Sequence, residues 1–145
     1  MVNYTTWPEN TFATAESPII IGILGNDPFG ELLDKTLLMQ QSKRRLVARR
    51  IHTVSEALQC QVVFIDKTEH RSEAEWLEKL KDHPVLTIGE SGQTLSRGGV
   101  LEFVFVNARY RYDASWPSMV RAGLKLSAPI LNSARKIRQF PNQRP

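Results

Sequence analysis

Three short segments composed almost wholly of apolar residues do most to limit the folds open to this chain. They are residues 19–24, 61–65 and 85–88, and stretches with helical spacing of apolar residues follow the first two. Their length and their isoleucines and valines are typical of strands rather than helices. A strand that is apolar throughout is covered on both faces, as parallel strands flanked by helices are. The sequence therefore predicts a layered α/β fold with a mostly parallel sheet.

The last third of the chain has a different pattern, in which two strands meet at a tight turn. Residues 100–114 predict a β-hairpin that turns at residues 107–108. In its second strand, two tyrosines and an alanine alternate with charged residues. The charged residues are Arg109, Arg111 and Asp113. This alternation predicts one wet face, as an antiparallel edge strand has.

Right-handed crossovers between parallel strands set the predicted strand order. With a further strand at residues 51–54, the first four strands are expected in the order of about 2-1-3-4, with the hairpin added antiparallel at one edge. A final long helix is expected from Trp116, kinked near Pro129 because proline lacks an amide hydrogen. We expect a single domain over residues 1–138 and a frayed polar tail over 139–145.

Two patterns of the kind that start helices precede apolar stretches. Asp27 followed by Pro28 predicts a helix after the first strand. Ser72 and Glu75 have the spacing of a capping box, and the helix that they open is expected to turn Leu77 inward.

Composition and charge exclude several classes of function. Cys60 is the single cysteine, so no intramolecular disulfide is expected, and three scattered histidines predict no metal site. No apolar run has the length of a membrane span. Residues 43–50 carry five positive charges, but no aromatic residue interleaves them and no nucleic-acid motif is present, so no nucleic-acid partner is expected. This basic run is interpreted as a solvated connector, with contact to an acidic protein or anionic lipid as the alternative.

Polar residues that follow the predicted strands form the candidate ligand site. They are Asn26, Asp27, Asp66, Glu90 and Ser91. Ligands of open α/β sheets bind at the carboxyl ends of strands, so these side chains are expected to line a polar cleft. The glycines of residues 22–30 do not have dinucleotide-binding or P-loop spacing, which argues against a nucleotide. The alternative is a tight turn and ordinary solvated loop carboxylates.

The hairpin supplies a second candidate site, a protein interface made of Arg109, Tyr110, Tyr112 and Trp116. Tyrosine, tryptophan and arginine are the residue types that dominate binding energy in interfaces. An edge strand can also pair with a second copy of itself, so a homodimer is one expectation. The alternative is that the final helix covers these side chains.

A series of motifs along the chain resembles the signature of the YfiR/HmsC family. Nearly the whole chain, residues 4–134, takes part in this resemblance. The motifs are YTTWP at 4–8, PIIIGILGNDPFG at 18–30, CQVVFI at 60–65, PVLTI at 84–88, the glycine pair at 98–99, FV at 103–104, RYRYD at 109–113 and AGLKLS at 122–127.

The resemblance implies a small α/β domain without catalytic machinery or cofactor. It implies a periplasmic regulator that holds an inner-membrane diguanylate cyclase inactive until an envelope signal releases it, and so tunes cyclic-di-GMP and biofilm formation. The implied partner is a membrane-bound signalling protein, either such a cyclase or a fused sensor kinase. Residues 1–4 lack the basic and apolar parts of an export signal, so the periplasmic location rests on the resemblance alone.

The chain departs from the family pattern in three ways. Ser115 stands where relatives often have asparagine, Ala128 and Pro129 replace a serine and a glutamine, and the additional cysteines of relatives are missing. Two rival classes therefore stay open. One is a small-ligand sensor that uses the cleft at the strand ends, and the other is an enzyme of unknown chemistry that uses carboxylates of the same cleft.

Overall fold

The structure is a computed structural model that describes residues 5–25 and 44–139, and of Tyr110 it describes the backbone alone. Nine strands and four helices fall within these residues. The strands are β1 Thr5–Thr6, β2 Ile19–Leu24, β3 Leu46–Arg50, β4 Val62–Ile65, β5 Leu86–Gly89, β6 Leu101–Val106, β7 Arg109–Ser115, β8 Lys125–Leu126 and β9 Lys136–Arg138. The helices are α1 Val54–Leu58, α2 Glu73–Leu80, α3 Trp116–Arg121 and α4 Ala128–Ser133, with short 3-10 turns at Glu9–Thr11 and Lys67–Glu69.

Seven of these strands form the central sheet, in the order β3-β2-β4-β5-β6-β7-β9. All neighbouring strands from β3 to β6 are parallel, β7 is antiparallel to β6, and β9 is parallel to β7. The strands β1 and β8 pair separately as a small antiparallel sheet. The predicted mixed α/β class with a mostly parallel sheet is therefore confirmed.

The sheet is buried on both faces, and side-chain alternation assigns each residue to one of two cores. Ile21, Ile23 and Phe64 belong to the core that is closed by Trp7, α3 and α4. Leu24, Val63 and Ile65 belong to the core that is closed by α1 and α2. This two-sided burial is the physical reason that the central strands are apolar throughout.

The predicted position of the hairpin at the edge of the sheet is wrong. Strand β9 lies outside β7, with Asp113 opposite Lys136 and Ser115 opposite Arg138. The guanidinium of Arg135 donates two hydrogen bonds to the Asp113 carboxylate, at 2.9 and 2.8 Å. Asp113 is consequently buried, although the alternation predicts that it faces water. The ion pair permits this burial because it compensates the lost hydration of the carboxylate.

The predicted final long helix is also wrong, because the helix ends at a glycine. Gly123 has a φ of 75°, the left-handed conformation that terminates helices. The amide of Gly123 donates to the carbonyl of Val120 at 3.0 Å, and the amide of Leu124 donates to that of Met119 at 3.1 Å, which is a Schellman motif. The chain then forms β8, which pairs with β1, before α4 begins.

Three local predictions need correction or fall outside the described residues. The second strand occupies Leu46–Arg50 rather than residues 51–54, and Val54 begins α1. The capping box lies at Thr53 and Glu56, whereas Ser72 makes no side-chain cap and instead donates to the Glu69 carbonyl at 3.2 Å. The helix predicted after Asp27 lies outside the described residues.

Candidate functional site: a polar cluster at the strand ends and a groove beside α3

Three of the five candidate ligand residues follow the carboxyl ends of adjacent strands. Asp66 follows β4, and Glu90 and Ser91 follow β5, so parallel pairing brings them to one edge of the sheet. Asn26 and Asp27 lie outside the described residues. Asp66 also caps the following 3-10 turn, since its carboxylate accepts from the amide of Thr68 at 3.2 Å and from the Thr68 hydroxyl.

Asp66 and Glu90 form a carboxyl pair whose pKa values are shifted in opposite directions. Burial raises the pKa of Glu90, and the hydrogen bond of Glu90 to Asp66 raises this pKa further. Burial also acts to raise the pKa of Asp66, but the hydrogen bonds from Thr68 and Glu90 outweigh it and lower this pKa below its ordinary value. The two shifts make Glu90 the weaker acid and Asp66 the stronger acid of the pair.

Glu73, the first residue of α2, is the centre of a second polar network at this edge. Its side chain is almost fully buried, and its carboxylate accepts from the Ser91 hydroxyl at 2.6 Å and from the Thr94 hydroxyl at 2.9 Å. Arg97 donates to the same carboxylate at 3.1 Å and to the carbonyl of His70 at 2.6 Å. Sequence analysis missed Glu73, Thr94 and Arg97, because their partners lie about twenty residues away and no local motif marks them.

These two networks together are named the strand-end cluster. Its members are Asp66, Glu73, Glu90, Ser91, Thr94 and Arg97. Every member bonds another residue of the cluster, so the carboxylates and hydroxyls hold residues 90–99 against the sheet. Gly89 is part of the fit, since a Cβ there would lie 2.6 Å from the Glu73 carboxylate. Among the described residues, no three His, Cys, Asp or Glu side chains are grouped as metal ligands would be.

An open cavity lies at the carboxyl ends of β2 and β3 rather than over the strand-end cluster. It has a volume of about 440 Å³, and its polar lining includes Arg50, His52 and Glu69. Trp76 forms one wall and also borders a smaller neighbouring cavity of about 180 Å³. A cleft at strand ends therefore exists, but Asp66, Glu90 and Ser91 are not among the residues that line it.

The four candidate interface residues do not meet in one patch. Arg109 begins the seven-residue strand β7 and Trp116 follows its last residue, so the two lie about 20 Å apart. The Tyr112 hydroxyl donates to the carbonyl of Ile130 at 2.6 Å, and its ring contacts the core beneath α4. Arg109 is exposed beside the hairpin turn, and the Tyr110 side chain is not among the described parts of the structure.

Trp116 lines an apolar groove between α3 and β8, named here the α3–β8 groove. Its volume is about 500 Å³, and its lining is formed by Trp116, Met119, Val120, Gly123, Leu124, Lys125 and Leu126. Ser115 fixes the start of α3, because its hydroxyl accepts from the amide of Ser118 at 3.3 Å. Val120 is 49% exposed at this groove.

Part of the basic run has a structural role. The Arg44 guanidinium donates to the carbonyls of Thr14 at 2.9 Å and Ser17 at 2.8 Å. It also lies 3.7 Å above the ring of Phe12, which is a cation–π contact. Arg44 therefore ties the loop before β2 to the start of β3, whereas Arg49 and Arg50 are exposed at the far end of that strand.

Comparison with known proteins identifies the family of this chain and a solved structure with a similar fold. A family model described as YfiR/HmsC-like matches residues 1–135. The chain belongs to this family. A crystal structure of a conserved domain protein from Vibrio cholerae has a similar fold, with a TM-score of 0.62 and 12% sequence identity. That similarity covers 82% of this chain and 54% of the Vibrio chain, so this chain spans about half the length of the solved protein, and the likeness concerns the fold alone.

Membership in the YfiR/HmsC-like family was the expectation from the motifs, and the family match confirms it. Within residues 5–25 and 44–139, no helix has both the length and the apolar character that crossing a membrane requires.

Proposed function

We propose that this chain is a periplasmic regulatory domain that binds a membrane-bound diguanylate cyclase and holds it inactive. The observation that carries the proposal is the family match over residues 1–135. The arrangement of polar groups supports a binding role rather than catalysis, because the Glu73 carboxylate of the strand-end cluster is engaged by Ser91, Thr94 and Arg97. An envelope signal that releases the domain then raises cyclic-di-GMP and promotes biofilm formation.

An inhibitor of this kind acts by differential affinity. It must bind the inactive conformation of the cyclase more tightly than the active one, since equal affinity shifts no equilibrium. Changing a cyclase from almost fully active to almost fully inactive requires a preference of about 10⁴-fold. A surface with a central apolar contact and charged surroundings supplies such selectivity when it fits one conformation alone.

The test is a reconstitution with membranes that contain a diguanylate cyclase with a periplasmic domain from the same organism. Purified chain is added, and the cyclic-di-GMP formed from GTP is measured. We expect a saturable decrease in product, with no decrease for a cyclase that lacks its periplasmic domain. Full cyclase activity in the presence of excess folded chain would reject the proposal.

A small-ligand sensor is the second candidate function, and the cavity of about 440 Å³ beside Trp76 favours it. Thermal-shift measurements with nucleotides, amino acids and cofactors test this candidate, because a ligand at a hundred times its Kd stabilises the folded state by about 2.7 kcal/mol. A domain that binds protein alone shows no shift. A homodimer is a further proposal, which sedimentation equilibrium of the full chain tests.

A further inference from the structure

We infer that the α3–β8 groove binds an acidic amphipathic segment of the partner protein. An apolar side chain of that segment enters the groove, and its carboxylates contact Arg121 and Lys125 at the rim. The inference rests on the proposed function and names the chemistry of the partner's contact segment.

The floor of the groove is apolar and open. Met119 and Leu124 are buried beneath it, Trp116 is half-buried at one end, and Val120 is 49% exposed. A volume of about 500 Å³ lies within the range of sites that enclose bound groups, and it is large enough for one or two large side chains. Burying Val120 and the Trp116 edge against a partner removes apolar surface from water, which favours association.

Two exposed cations belong to the elements that form this groove, Lys125 in its lining and Arg121 next to Val120 on α3. The chain has no Asp or Glu after Asp113, whereas six basic residues follow it. They are Arg121, Lys125, Arg135, Lys136, Arg138 and Arg144. Arg121 and Lys125 are both exposed, and within the described residues neither forms an ion pair. Their charges are therefore available to carboxylates of a partner.

The shape and the charge favour an acidic protein segment over the other occupants. A lipid surface is bound by apolar side chains that project, whereas here they line a recess. A second copy of the chain would bring two basic rims together, and like charges facing each other oppose association. A segment with an apolar residue next to carboxylates satisfies both the recess and the rim.

The test is selection of peptides from a random short-peptide display library on the immobilised full chain. We expect enriched peptides to carry Leu, Ile or Phe next to Asp or Glu. The double variant Arg121→Glu with Lys125→Glu should weaken their binding at least about tenfold, measured by fluorescence anisotropy. The matched control, Arg49→Glu with Arg71→Glu, changes the net charge equally at exposed sites away from the groove and should leave binding unchanged.

Further arms decide between the occupants. Selection on the rim-reversed variant should enrich basic instead of acidic peptides, which a merely structural role of the two residues does not produce. Enriched peptides without carboxylates, or equal weakening by the control variant, would overturn the inference. Rim-dependent binding to phosphatidylglycerol vesicles without peptide binding, or a dimer abolished by Val120→Glu, would also overturn it. These arms contain no cyclase, so their failure leaves the proposed function standing. In the reconstitution described above, inhibition that survives rim reversal rejects this inference but not the proposed function.

Discussion

The strand-end cluster and the α3–β8 groove are opposite in character. The cluster is polar, and its central carboxylate on Glu73 is almost fully buried with three side-chain donors. The groove is apolar and has Val120 about half exposed at its surface. In the cluster, residue types that suggest chemistry bond one another. In the groove, Val120 is of a residue type that suggests a core, yet it is about half exposed to water.

This contrast shows that residue type alone is a poor guide to function in this domain. A buried carboxylate with satisfied hydrogen bonds contributes to structure, and its removal leaves other polar groups unpaired. An exposed valine inside an apolar recess contributes little to the stability of the isolated chain. Stability measurements therefore separate the two regions, and each of the following measurements tests that separation.

The largest effect is expected for Glu73→Ala. This change leaves the Arg97 guanidinium and the hydroxyls of Ser91 and Thr94 without their common acceptor. We expect a loss of about 3–5 kcal/mol in the free energy of unfolding, measured by urea denaturation. Glu75→Ala is the matched control, because Glu75 is exposed and pairs with Lys79 on the helix surface, and it should cost about 0.5 kcal/mol or less. Equal losses for both variants would show that Glu73 is not the centre of the cluster.

An intermediate effect is expected for Tyr112→Phe. The change removes a hydrogen bond of 2.6 Å to the Ile130 carbonyl and keeps the ring that contacts the core. A loss of about 1 kcal/mol in unfolding free energy is expected, with faster amide hydrogen exchange in α4. Burial raises the pKa of Tyr112, so in the wild type its ultraviolet titration should lie above that of an exposed tyrosine. Unchanged stability with lost partner binding would instead place Tyr112 in an interface.

The carboxyl pair gives a smaller effect that depends on pH. The pKa of Glu90 is raised in the folded state, so its contribution to stability is complete at acidic pH and is lost as the pH rises through this raised value. The pKa of Asp66 is lowered in the folded state. Its contribution to stability is therefore complete above the ordinary pKa of an aspartate and is lost as the pH falls through the lowered value. Glu90→Gln keeps the protonated shape of Glu90 without a second charge.

Unfolding free energies of Glu90→Gln and the wild type should therefore converge in acid and diverge by about 1 kcal/mol or less at neutral pH, with the variant more stable. Denaturation series across this pH range make the measurement, and Glu16→Gln on an exposed loop is the control. If the unfolding free energy of the wild type rose relative to that of the variant as the pH rises, it would contradict the raised pKa of Glu90.

The smallest effect on stability is expected in the groove itself. Val120→Ala should change the unfolding free energy by about 0.5 kcal/mol or less, because the valine is already half exposed. Val100→Ala is the matched control, since Val100 is 2% exposed and should cost about 1–3 kcal/mol. Calorimetric unfolding compares the two. A large loss for Val120→Ala would mean that the groove is part of the core and would remove the contrast on which its binding role rests.

Much of the sheet was predictable because burial on both faces leaves a local signal. The strands β2, β4 and β5 read as apolar runs, and the hairpin turn at Asn107 and Ala108 adopts positive φ values of 52° and 63°, as a two-residue turn requires. The candidate site was less predictable. Asp66, Glu90 and Ser91 were placed at the correct edge by strand ends, but Glu73 and Arg97 come together through packing of a helix and a loop that no local pattern encodes.

The amino-acid sequence by itself determined the α/β class, the apolar central strands and the family, since each depends on local composition or on motifs in order. The tertiary structure alone decided how the last third of the chain folds. Gly123 ends α3 and β8 pairs with β1, so residues that read as one helix become two helices and a strand. The pairing of β9 with β7 then buries Asp113 against Arg135. The physical reason is that strand pairing and ion pairing join residues far apart in the chain, and their partners are chosen by the fold rather than by neighbours in sequence.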